Sequence, residues 1–427
     1  MAHQAHKIPW GTLSSNLKIE PSPLDHDWQT AVFTWDEASH VQQMTHFADA
    51  FVKVLGSASD SERAKYPPVY SAASPDEEVI GPEAARTIEA TVQKYRSDNP
   101  ALSSRIQCPP ECARKSPFTI ALGLEERSMS FWLRDHWRHP RAYCCGGSDF
   151  LDSIELIKTL LIHGQVSTLL RISAHPDFRL HKLWSSIGTF EDSSPIEELL
   201  RCALMSYIWL NVFLLKPETH DAKSRAMYLE VETPGAPVRN GDWDYRNIMS
   251  YGLMVTRCTG DAYRDVHTYL HQEFFGFVPK RLANSDGHDS EYDDAPWVVP
   301  WVEEPYVAGS SVGFYKPLAS DIPLVTNYLR QLCLPTELAL KVLDHASYVP
   351  QRILPVAEDP LHIENREELY KYLATCWELL VYCDLLAKAN GREIKWRYEI
   401  TNCLWTFWGD TKLTVELPQS AYNNNYL

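Results

Sequence analysis

The sequence predicts a helix-rich globular protein, mostly α or α+β, with a minor sheet. Several segments repeat apolar residues at spacings of three and four, which is typical of amphipathic helices. Apolar residues make up 44% of the 427 residues and charged residues 22%, which excludes a chain too polar to collapse. Strand-like patterns are confined to residues 118–145 and 393–417, so we expect any sheet to be small.

Start and stop signals set the bounds of the first three predicted helices. Residues 1–35 are turn-rich and irregular. Gly56 occupies the C-cap position of the first helix, Pro82 lies in the first turn of the second, and Gly164 ends the third. These three helices are predicted over residues 37–56, 82–96 and 149–163.

The fourth predicted helix, over residues 195–215, has the clearest start. Ser194 at the N-cap, Pro195 at N1 and Glu197 at N3 form a capping box, which satisfies backbone N–H groups at the helix start. The helix is then apolar nearly all round, so we expect it to be buried on most sides. Its apolar part, from Cys202 to Leu215, is shorter than the ~20 residues that a bilayer span needs, which favours a core helix.

Three further helices are predicted in the second half of the chain. Asp261 is the expected cap of a helix over 262–275, and a short amphipathic helix covers 335–346. The apolar face of that short helix is predicted to contain Leu338, Val342 and Leu343. A long helix over 366–389 follows.

The end of the chain combines this long helix with a predicted strand pair. Asn365 and Glu368 resemble a capping box, and Gly391 is placed to end the helix. The following residues, 393–417, are predicted to form the strand pair. These patterns divide the chain into an N-terminal helical region (1–117), a central domain (118–280), an acidic and proline-rich linker (281–322) and a C-terminal helical region (323–427).

Charge, cysteine positions and the N-terminus indicate the compartment and the partners. The formal charge of −16 disfavours binding to DNA and to anionic membranes. The N-terminus shows no secretory signal pattern. Cys202, Cys376 and Cys383 lie within apolar helical patterns, as buried reduced thiols do. We therefore expect a cytoplasmic protein without a membrane partner.

A basic segment with interleaved aromatic residues stands out in this acidic chain. Guanidinium groups pair with phosphates and aromatic faces stack on bases, so the segment is a candidate surface for RNA, a nucleotide or another anion. Its candidate binding residues are Arg134, His136, Arg138, His139 and Arg141, close to Arg127, Phe131 and Trp132. The alternative is a set of partly buried arginines paired with Glu125, Glu126 and Asp135.

An acidic segment is the complementary candidate. Carboxylates beside tryptophan suit a cationic guest through charge pairing and cation–π attraction, and they could also hold Mg²⁺. The candidate catalytic carboxylates are Asp293, Asp294, Glu303 and Glu304, and the candidate substrate-binding tryptophans are Trp297 and Trp301. The alternative is a solvated acidic loop.

Other motifs favour structural interpretations. His267 and His271 have the i, i+4 spacing of zinc helices, but Thr268 replaces the glutamate of that motif, so a polar helix face is favoured. Ser311 lies in a GxSxG pattern, but Pro317 disfavours the helix that such an elbow requires. The cysteines and histidines between 108 and 145 lack a standard metal spacing. No metal and no cofactor are predicted.

Two family resemblances add candidate functions. Residues 334–343, Leu-Pro-Thr-Glu-Leu-Ala-Leu-Lys-Val-Leu, are similar to the opening of an F-box, which implies docking on a ubiquitin-ligase adaptor. The block from Leu334 to Leu354 and the helix with Cys376-Trp377 resemble uncharacterised filamentous-fungal proteins. The chain also resembles fungal arginine-containing cyclodipeptide synthases, where Asp293 and Asp294 match half of a DDxxE motif and Trp297 stands at the glutamate position.

The resemblance to these synthases implies a biosynthetic enzyme of fungal secondary metabolism. Such an enzyme joins an arginyl group and a second aminoacyl group, both delivered on tRNA, into a cyclic dipeptide. Aminoacyl-tRNA is then the expected partner, and the acidic and basic segments would bind the arginyl group and its carrier. The absence of a GxxxxGK[ST] loop fits substrates that arrive already activated. The alternatives are an F-box-like adaptor and a Mg²⁺-dependent terpene-type cyclase.

Overall fold

Helices account for most of the residues that the computed structural model describes, which confirms the helix-rich fold class. The described residues are 7–21, 29–33, 40–98, 122–133, 148–178, 195–224, 226–227, 245–247, 249–259, 265–276, 321–332, 334–345, 354–356 and 359–408.

The elements follow one another along the chain as α1 (Trp10–Ser14), β1 (Leu17–Pro21), β2 (Gln29–Phe33), α2 (His40–Arg63), α3 (Pro82–Asp98), α4 (Leu124–Arg127), α5 (Met129–Leu133), α6 (Ser148–Ile162), α7 (Val166–Ser173), α8 (Pro195–Leu214), α9 (Met249–Thr259), α10 (Val266–Phe275), α11 (Asp321–Gln331), α12 (Thr336–His345), α13 (Arg366–Ala389) and α14 (Trp396–Trp408). Short 3-10 helices occupy Pro217–Thr219, Tyr245–Asn247 and Ile363–Asn365.

Most of the predicted helix bounds are confirmed. Helices α3, α6, α8, α12 and α13 begin and end within two residues of their predicted limits. Gly164 and Gly391 follow α6 and α13 with φ of 64° and 65°, a left-handed conformation that favours glycine at a helix C-terminus. The glycine signals therefore ended these helices for the expected reason.

The predicted strand pair at 393–417 is wrong over its described part. Residues 396–408 form α14, in which Trp396, Ile400 and Leu404 are buried at a spacing of four, so they form a helical stripe. The minor sheet lies near the N-terminus instead, where β1 and β2 pair antiparallel with Leu17 opposite Phe33. The described part of 118–145 contains the short helices α4 and α5 rather than strands.

Three predicted caps differ from the structure. Helix α2 continues through Gly56 to Arg63, because a glycine ends a helix only where the chain turns left-handed. Asp265, rather than Asp261, is the N-cap of α10. Asn365 precedes α13, but its amide does not cap that helix. It bonds instead to the backbone N–H and C=O of Val356, each at 2.7 Å, and so fastens the preceding segment to the helix start.

Helix α8 occupies the centre of the core. It packs against α13, α9, α10, α14, α1 and α6. Every side chain from Cys202 to Leu210 is buried, as the all-round apolar pattern predicts. Near its middle, Tyr207 lies 5.2 Å from Trp377 of α13 between ring centroids and 6.1 Å from Phe51 of α2. Aromatic contacts therefore join three long helices around one point.

One apolar core extends from Ile8 to Leu404 and includes residues on both sides of the predicted domain limits. The division into four regions stays a prediction. Among the described helices, none combines the length and apolarity that crossing a bilayer requires.

The short helix α12 is amphipathic, but its inward face differs from the predicted one. Ala339 and Leu343, four residues apart, are buried, whereas Leu338 and Val342 are 50% and 43% exposed. Residues four apart lie on the same helix face, so Leu338 and Val342 form a second apolar face directed toward solvent.

Candidate functional site

A cluster of charged side chains lies where α6, α8 and the start of α10 meet. Glu155 and Lys158 come from α6, Glu198 from α8, and Asp265 and His267 from the first turn of α10. Glu155, Lys158 and His267 are buried, with relative exposures of 5%, 2% and 7%. Charged residues are rarely buried to this extent unless they are paired, so their contacts determine what the cluster can do.

Lys158 is the centre of the cluster. Its Nζ donates to Oε1 of Glu155 at 2.7 Å and lies 3.2 Å from Nδ1 of His267. An ammonium has only donors, so Nδ1 of His267 must accept, which assigns the hydrogen of the neutral ring to Nε2. The other oxygen of Glu155 accepts from the backbone N–H of Val266 at 2.9 Å. Glu155 therefore supports the N-terminus of α10, where a negative charge is favourable.

Burial controls the protonation of this cluster. It raises the pKa of Glu155, and the neighbouring Lys158 partly opposes that shift. Burial also raises the pKa of Asp265, again against the influence of Lys158. The pKa of His267 is held well below its usual value by burial first and by Lys158 second. His267 is consequently neutral near pH 7.

The outer side of the cluster faces solvent. Ligand-type atoms of Glu198, Asp265 and His267 all lie within 4.8 Å of one another, and the Glu198 side chain is 42% exposed. Nε2 of His267 lies 3.9 Å from the Glu198 carboxylate. The cluster holds three carboxyl groups, one ammonium and one neutral ring: Glu155 pairs with Lys158, and Glu198 and Asp265 lie beside His267. The balance of charge therefore favours a cationic guest beside Glu198 and Asp265.

The same three residues have the ligand types that a divalent cation uses. Metal coordination through Nε2 of His267 requires that this nitrogen carry no hydrogen. The contact from Lys158 to Nδ1 favours the opposite tautomer and adds a positive charge nearby. The arrangement therefore suits an organic cation that donates hydrogen bonds better than it suits a metal ion.

A second polar network lies deeper, around His271. The hydroxyl of Tyr372 lies 2.5 Å from Nδ1 of His271 and donates to Oγ of Ser206 at 2.9 Å. The Ser206 hydroxyl in turn donates to Sγ of Cys258 at 3.1 Å. All four residues are buried. Burial lowers the pKa of His271 to about 3, so its ring is neutral. Their burial and their mutual hydrogen bonds indicate a structural role.

The predicted site residues all lie outside the described residues. These residues are Asp293, Asp294, Glu303, Glu304, Trp297, Trp301, Arg134, Arg138, Arg141, His136 and His139. Their roles stay predictions. Ser311 and the cysteines between 108 and 145 lie outside the described residues as well.

The described start of the basic segment fits the structural alternative. Phe131 and Trp132 are 6% and 2% exposed, so neither offers a face for base stacking. The Arg127 guanidinium pairs with the Glu78 carboxylate at 2.6 Å. That alternative expected Glu126 to pair with an arginine of the basic segment, but Glu126 contacts Arg96 of α3 instead.

The sequence interpretation named only His267 from the charged cluster, and it expected a polar helix face there. Both His267 and His271 are buried, so that expectation is wrong. Glu155 and Lys158 were missed, although they interrupt the apolar run from Ile154 to Leu161 in a helix that is otherwise buried. A charged pair inside such a run was the available signal. Glu198 and Asp265 carried no comparable signal.

Comparison with known proteins gives one match. A family model described as "Gramillins biosynthetic cluster protein GRA5" matches residues 11–417. No curated protein and no solved structure matches the chain.

Proposed function

Because the chain belongs to the family of the gramillins biosynthetic cluster protein GRA5, a family of fungal secondary metabolism, we propose that it is a biosynthetic enzyme that acts on a cationic substrate. The substrate binds beside Glu198 and Asp265. The observation that carries this proposal is the charged cluster itself, in which Glu155 pairs with Lys158 while Glu198 and Asp265 lie together beside His267, with the Glu198 side chain 42% exposed.

The substrate class follows from the charges at this edge. Carboxylates pair with guanidinium and ammonium groups through short, charge-assisted hydrogen bonds. Two carboxylates close to each other suit the planar fork of an arginyl side chain, or an α-ammonium group. Lys158, on the inner side of the cluster, holds His267 and Glu155 in place and leaves the outer side for the guest.

The concrete form of the proposal is tRNA-dependent synthesis of an arginine-containing cyclic dipeptide. In each of two steps, the α-amino nitrogen of one aminoacyl group attacks the ester carbonyl carbon of the other. A C–N bond forms, the C–O bond to the ribose breaks, and the proton lost by nitrogen ends on the departing ribose hydroxyl. Glu198 is the proposed base that takes this proton first, because its side chain is 42% exposed and its carboxylate lies 3.9 Å from Nε2 of His267.

The basic segment has a role of its own in this proposal. Arg134, Arg138 and Arg141, with His136 and His139, would bind the phosphates of the tRNA carrier.

Because Glu198 and Asp265 take the arginyl group in this proposal, the acidic segment, which the sequence alone assigns to the arginyl group, would hold the second aminoacyl group. Its residues are Asp293, Asp294, Glu303, Glu304, Trp297 and Trp301. Neither role depends on the geometry of the charged cluster, so each can be tested separately.

Heterologous expression tests the concrete form. Cells that produce the full chain should contain a new arginine-containing diketopiperazine, detectable by mass spectrometry after labelling with isotopic arginine. Glu198→Gln should lower its yield by about 10²-fold or more, the range for loss of a general base. Asp265→Asn removes one of the two carboxylates that bind the arginyl group and should lower the yield as well. Glu367→Gln, at an exposed ion pair in the first turn of α13, is the matched control and should leave the yield unchanged.

Two outcomes count against the proposal at different levels. Abundant folded protein without a new diketopiperazine removes the tRNA-dependent form. A product whose yield is insensitive to Glu198→Gln and Asp265→Asn removes the charged cluster as its active site, whatever the product is. Circular dichroism of each variant separates loss of activity from loss of fold.

The adaptor alternative is favoured by a separate observation. Helices α11 and α12, with the turn that follows α11, carry large apolar side chains that are between 43% and 72% exposed. These side chains are Leu324, Tyr328, Leu332, Leu338 and Val342. Capture of a ubiquitin-ligase adaptor subunit that is lost in Leu338→Arg, but kept in Lys341→Glu, would support this function. Absence of binding by the purified adaptor would exclude it.

A further inference from the structure

A cavity of about 580 Å³ lies away from the charged cluster and shares no residue with it. Residues near the ends of α2, α7 and α13 form most of its walls, and segment 68–70 forms the rest. The volume is in the range of small-molecule sites. The polar, charged and apolar groups on these walls therefore indicate which class of molecule the cavity suits.

The hydroxyl of Ser59 in α2 is the observation that points to a ligand. Ser59 lines the cavity and is only 1% exposed, and its Oγ has no hydrogen-bond partner among the described residues. A serine inside a helix can donate to the backbone carbonyl four residues earlier, as Ser61 does to Ser57 at 2.8 Å. Buried hydroxyls are nearly always hydrogen-bonded in proteins, so Ser59 is suited to bond with a molecule in the cavity.

A second hydroxyl, that of Ser173 in α7, lines the same cavity. Its oxygen accepts from Nδ2 of Asn390 at 3.4 Å, so its own hydrogen remains to be donated. The hydrogen of the Ser59 hydroxyl is available in the same way. A carbonyl oxygen has two lone pairs and accepts two hydrogen bonds, so two hydroxyl donors on the walls of one cavity suit a carbonyl group.

The charged side chains of the lining are already engaged within the chain. Lys388 lies 2.9 Å from the Asp384 carboxylate and 3.3 Å from that of Asp60. Arg63 donates at 2.8 Å to each of the backbone carbonyls of residues 67 and 68. An ionic ligand would have to break one of these contacts or lose its hydration without gaining a counter-charge, which is unfavourable. The walls therefore favour a neutral ligand.

The remaining walls are largely apolar. Leu170 and Leu385 line the cavity and are 4% and 1% exposed, whereas Val69, in segment 68–70, is 81% exposed. The hydroxyl of Tyr70 is hydrogen-bonded with Ser167 at 3.2 Å, which together with the contacts of the neighbouring arginine holds this segment in place. A short apolar group in the cavity would pack against the leucines and cover the exposed valine, which removes apolar surface from water.

We propose that this cavity binds a neutral amide with a short apolar body. The amide oxygen accepts from the hydroxyls of Ser59 and Ser173, and the apolar body lies against Leu170, Leu385 and Val69. A metal ion or an anion would leave the apolar walls unused or uncompensated. The site is a second binding site of the chain and does not depend on the proposed active site.

Titration calorimetry of the full chain tests the proposal with three probes of the same chain length: hexanamide, hexanoate and hexylammonium. Hexanamide and hexanoate have nearly the same shape, so this pair isolates the effect of charge. Hexanamide should bind saturably and more tightly than either ion. Ser59→Ala should weaken hexanamide binding by about threefold to tenfold, the range for loss of one hydrogen bond. Ala174→Trp, which fills the cavity from its wall, should abolish binding.

The matched control is Ser61→Ala, which removes a hydroxyl from the same helix outside the cavity and should leave hexanamide binding unchanged. The urea midpoint of Ser59→Ala should equal that of the native chain, because the Ser59 hydroxyl makes no hydrogen bond within the described structure. Weaker binding in this variant then reports on the ligand contact and not on the fold.

Three results would overturn the proposal. They are no saturable binding of hexanamide, binding of hexanoate or hexylammonium that is as tight as that of hexanamide, and hexanamide binding that persists unaltered in both Ser59→Ala and Ala174→Trp. The last result would mean that the probe binds elsewhere on the chain. None of these results bears on the charged cluster, because the two sites share no residue.

Discussion

Removal of the buried ammonium of Lys158 should destabilise the fold strongly. Lys158→Met keeps most of the side-chain volume but leaves the Glu155 carboxylate buried without its cation. The Lys158 and Glu155 side chains are 2% and 6% exposed and 2.7 Å apart, so water cannot replace the lost partner. Breaking such a pair costs about 3–5 kcal/mol in the free energy of unfolding. Urea denaturation followed by circular dichroism at pH 8 would measure this loss.

The pH dependence of this loss gives a sharper test. Burial already raises the pKa of Glu155, and loss of Lys158 removes the main influence that opposes this shift. A carboxyl whose pKa is higher in the folded state stabilises the fold below its unfolded-state pKa, and that contribution is lost as the pH rises through the folded-state pKa. Glu155 should therefore be protonated at pH 4.5 in the variant, and the difference from the native chain should shrink toward about 1 kcal/mol.

A matched control separates burial from charge. Lys65→Met removes an ion pair of similar length, 2.6 Å to Glu62, but Lys65 is 63% exposed. It should change stability by less than about 1 kcal/mol at either pH. Equal effects of Lys158→Met and Lys65→Met, or a loss at Lys158 that does not depend on pH, would refute the description of a buried, mutually dependent pair.

Three other predictions concern the deeper network and the start of α13. Tyr372→Phe should lower the free energy of unfolding by about 1–3 kcal/mol, because His271 loses its hydrogen-bond partner. Tyr370→Phe, on the exposed side of the same helix, is the control and should have little effect. Equal urea midpoints for the two variants would contradict a role for the Tyr372 hydroxyl. Burial lowers the pKa of His271 to about 3 in the fold, so the neutral ring contributes stability above its unfolded-state pKa, and this contribution is lost as the pH falls. His271→Gln should therefore flatten the decline in unfolding free energy below about pH 6.5. An unchanged slope of unfolding free energy against pH would argue against a neutral buried ring. Asn365→Ala removes two 2.7 Å bonds to Val356 and should lower the thermal midpoint measurably, whereas an unchanged midpoint would show that these bonds are replaced by water.

The helices could be predicted from the sequence because their signals are local. Gly164 and Gly391 end α6 and α13 at the predicted positions, since the left-handed turn depends on one residue. The failure at α14 has an equally local cause. Its sequence, WRYEITNCLWTFW, is rich in aromatic and β-branched residues, which favour strands. The four-residue spacing of Trp396, Ile400 and Leu404 favours a helix only because the core buries that stripe.

The charged cluster could not be predicted because its members are distant in the chain. Lys158 and His267 are separated by 109 residues and meet only when α6 packs against the start of α10. The local pattern around His267 indicated a zinc helix or a polar face, and neither describes a ring held by a buried ammonium. What the sequence did indicate was a chemical preference, carboxylates for a cationic guest. The described structure provides such a group at Glu198 and Asp265, in addition to the acidic segment that the sequence singled out.

The double variant Glu155→Leu with Lys158→Met distinguishes a structural from a functional role for the pair. Replacing a buried ion pair by apolar residues of similar volume is often neutral or stabilising, so the double variant should recover most of the stability that Lys158→Met loses. If the pair only supports the fold, the product yield should recover as well. We expect the yield to stay low, because His267 then lacks the donor at Nδ1 that assigns its tautomer beside Glu198. A double variant that is both stable and fully productive would show that the pair is only structural and that the tautomer of His267 does not matter for the reaction.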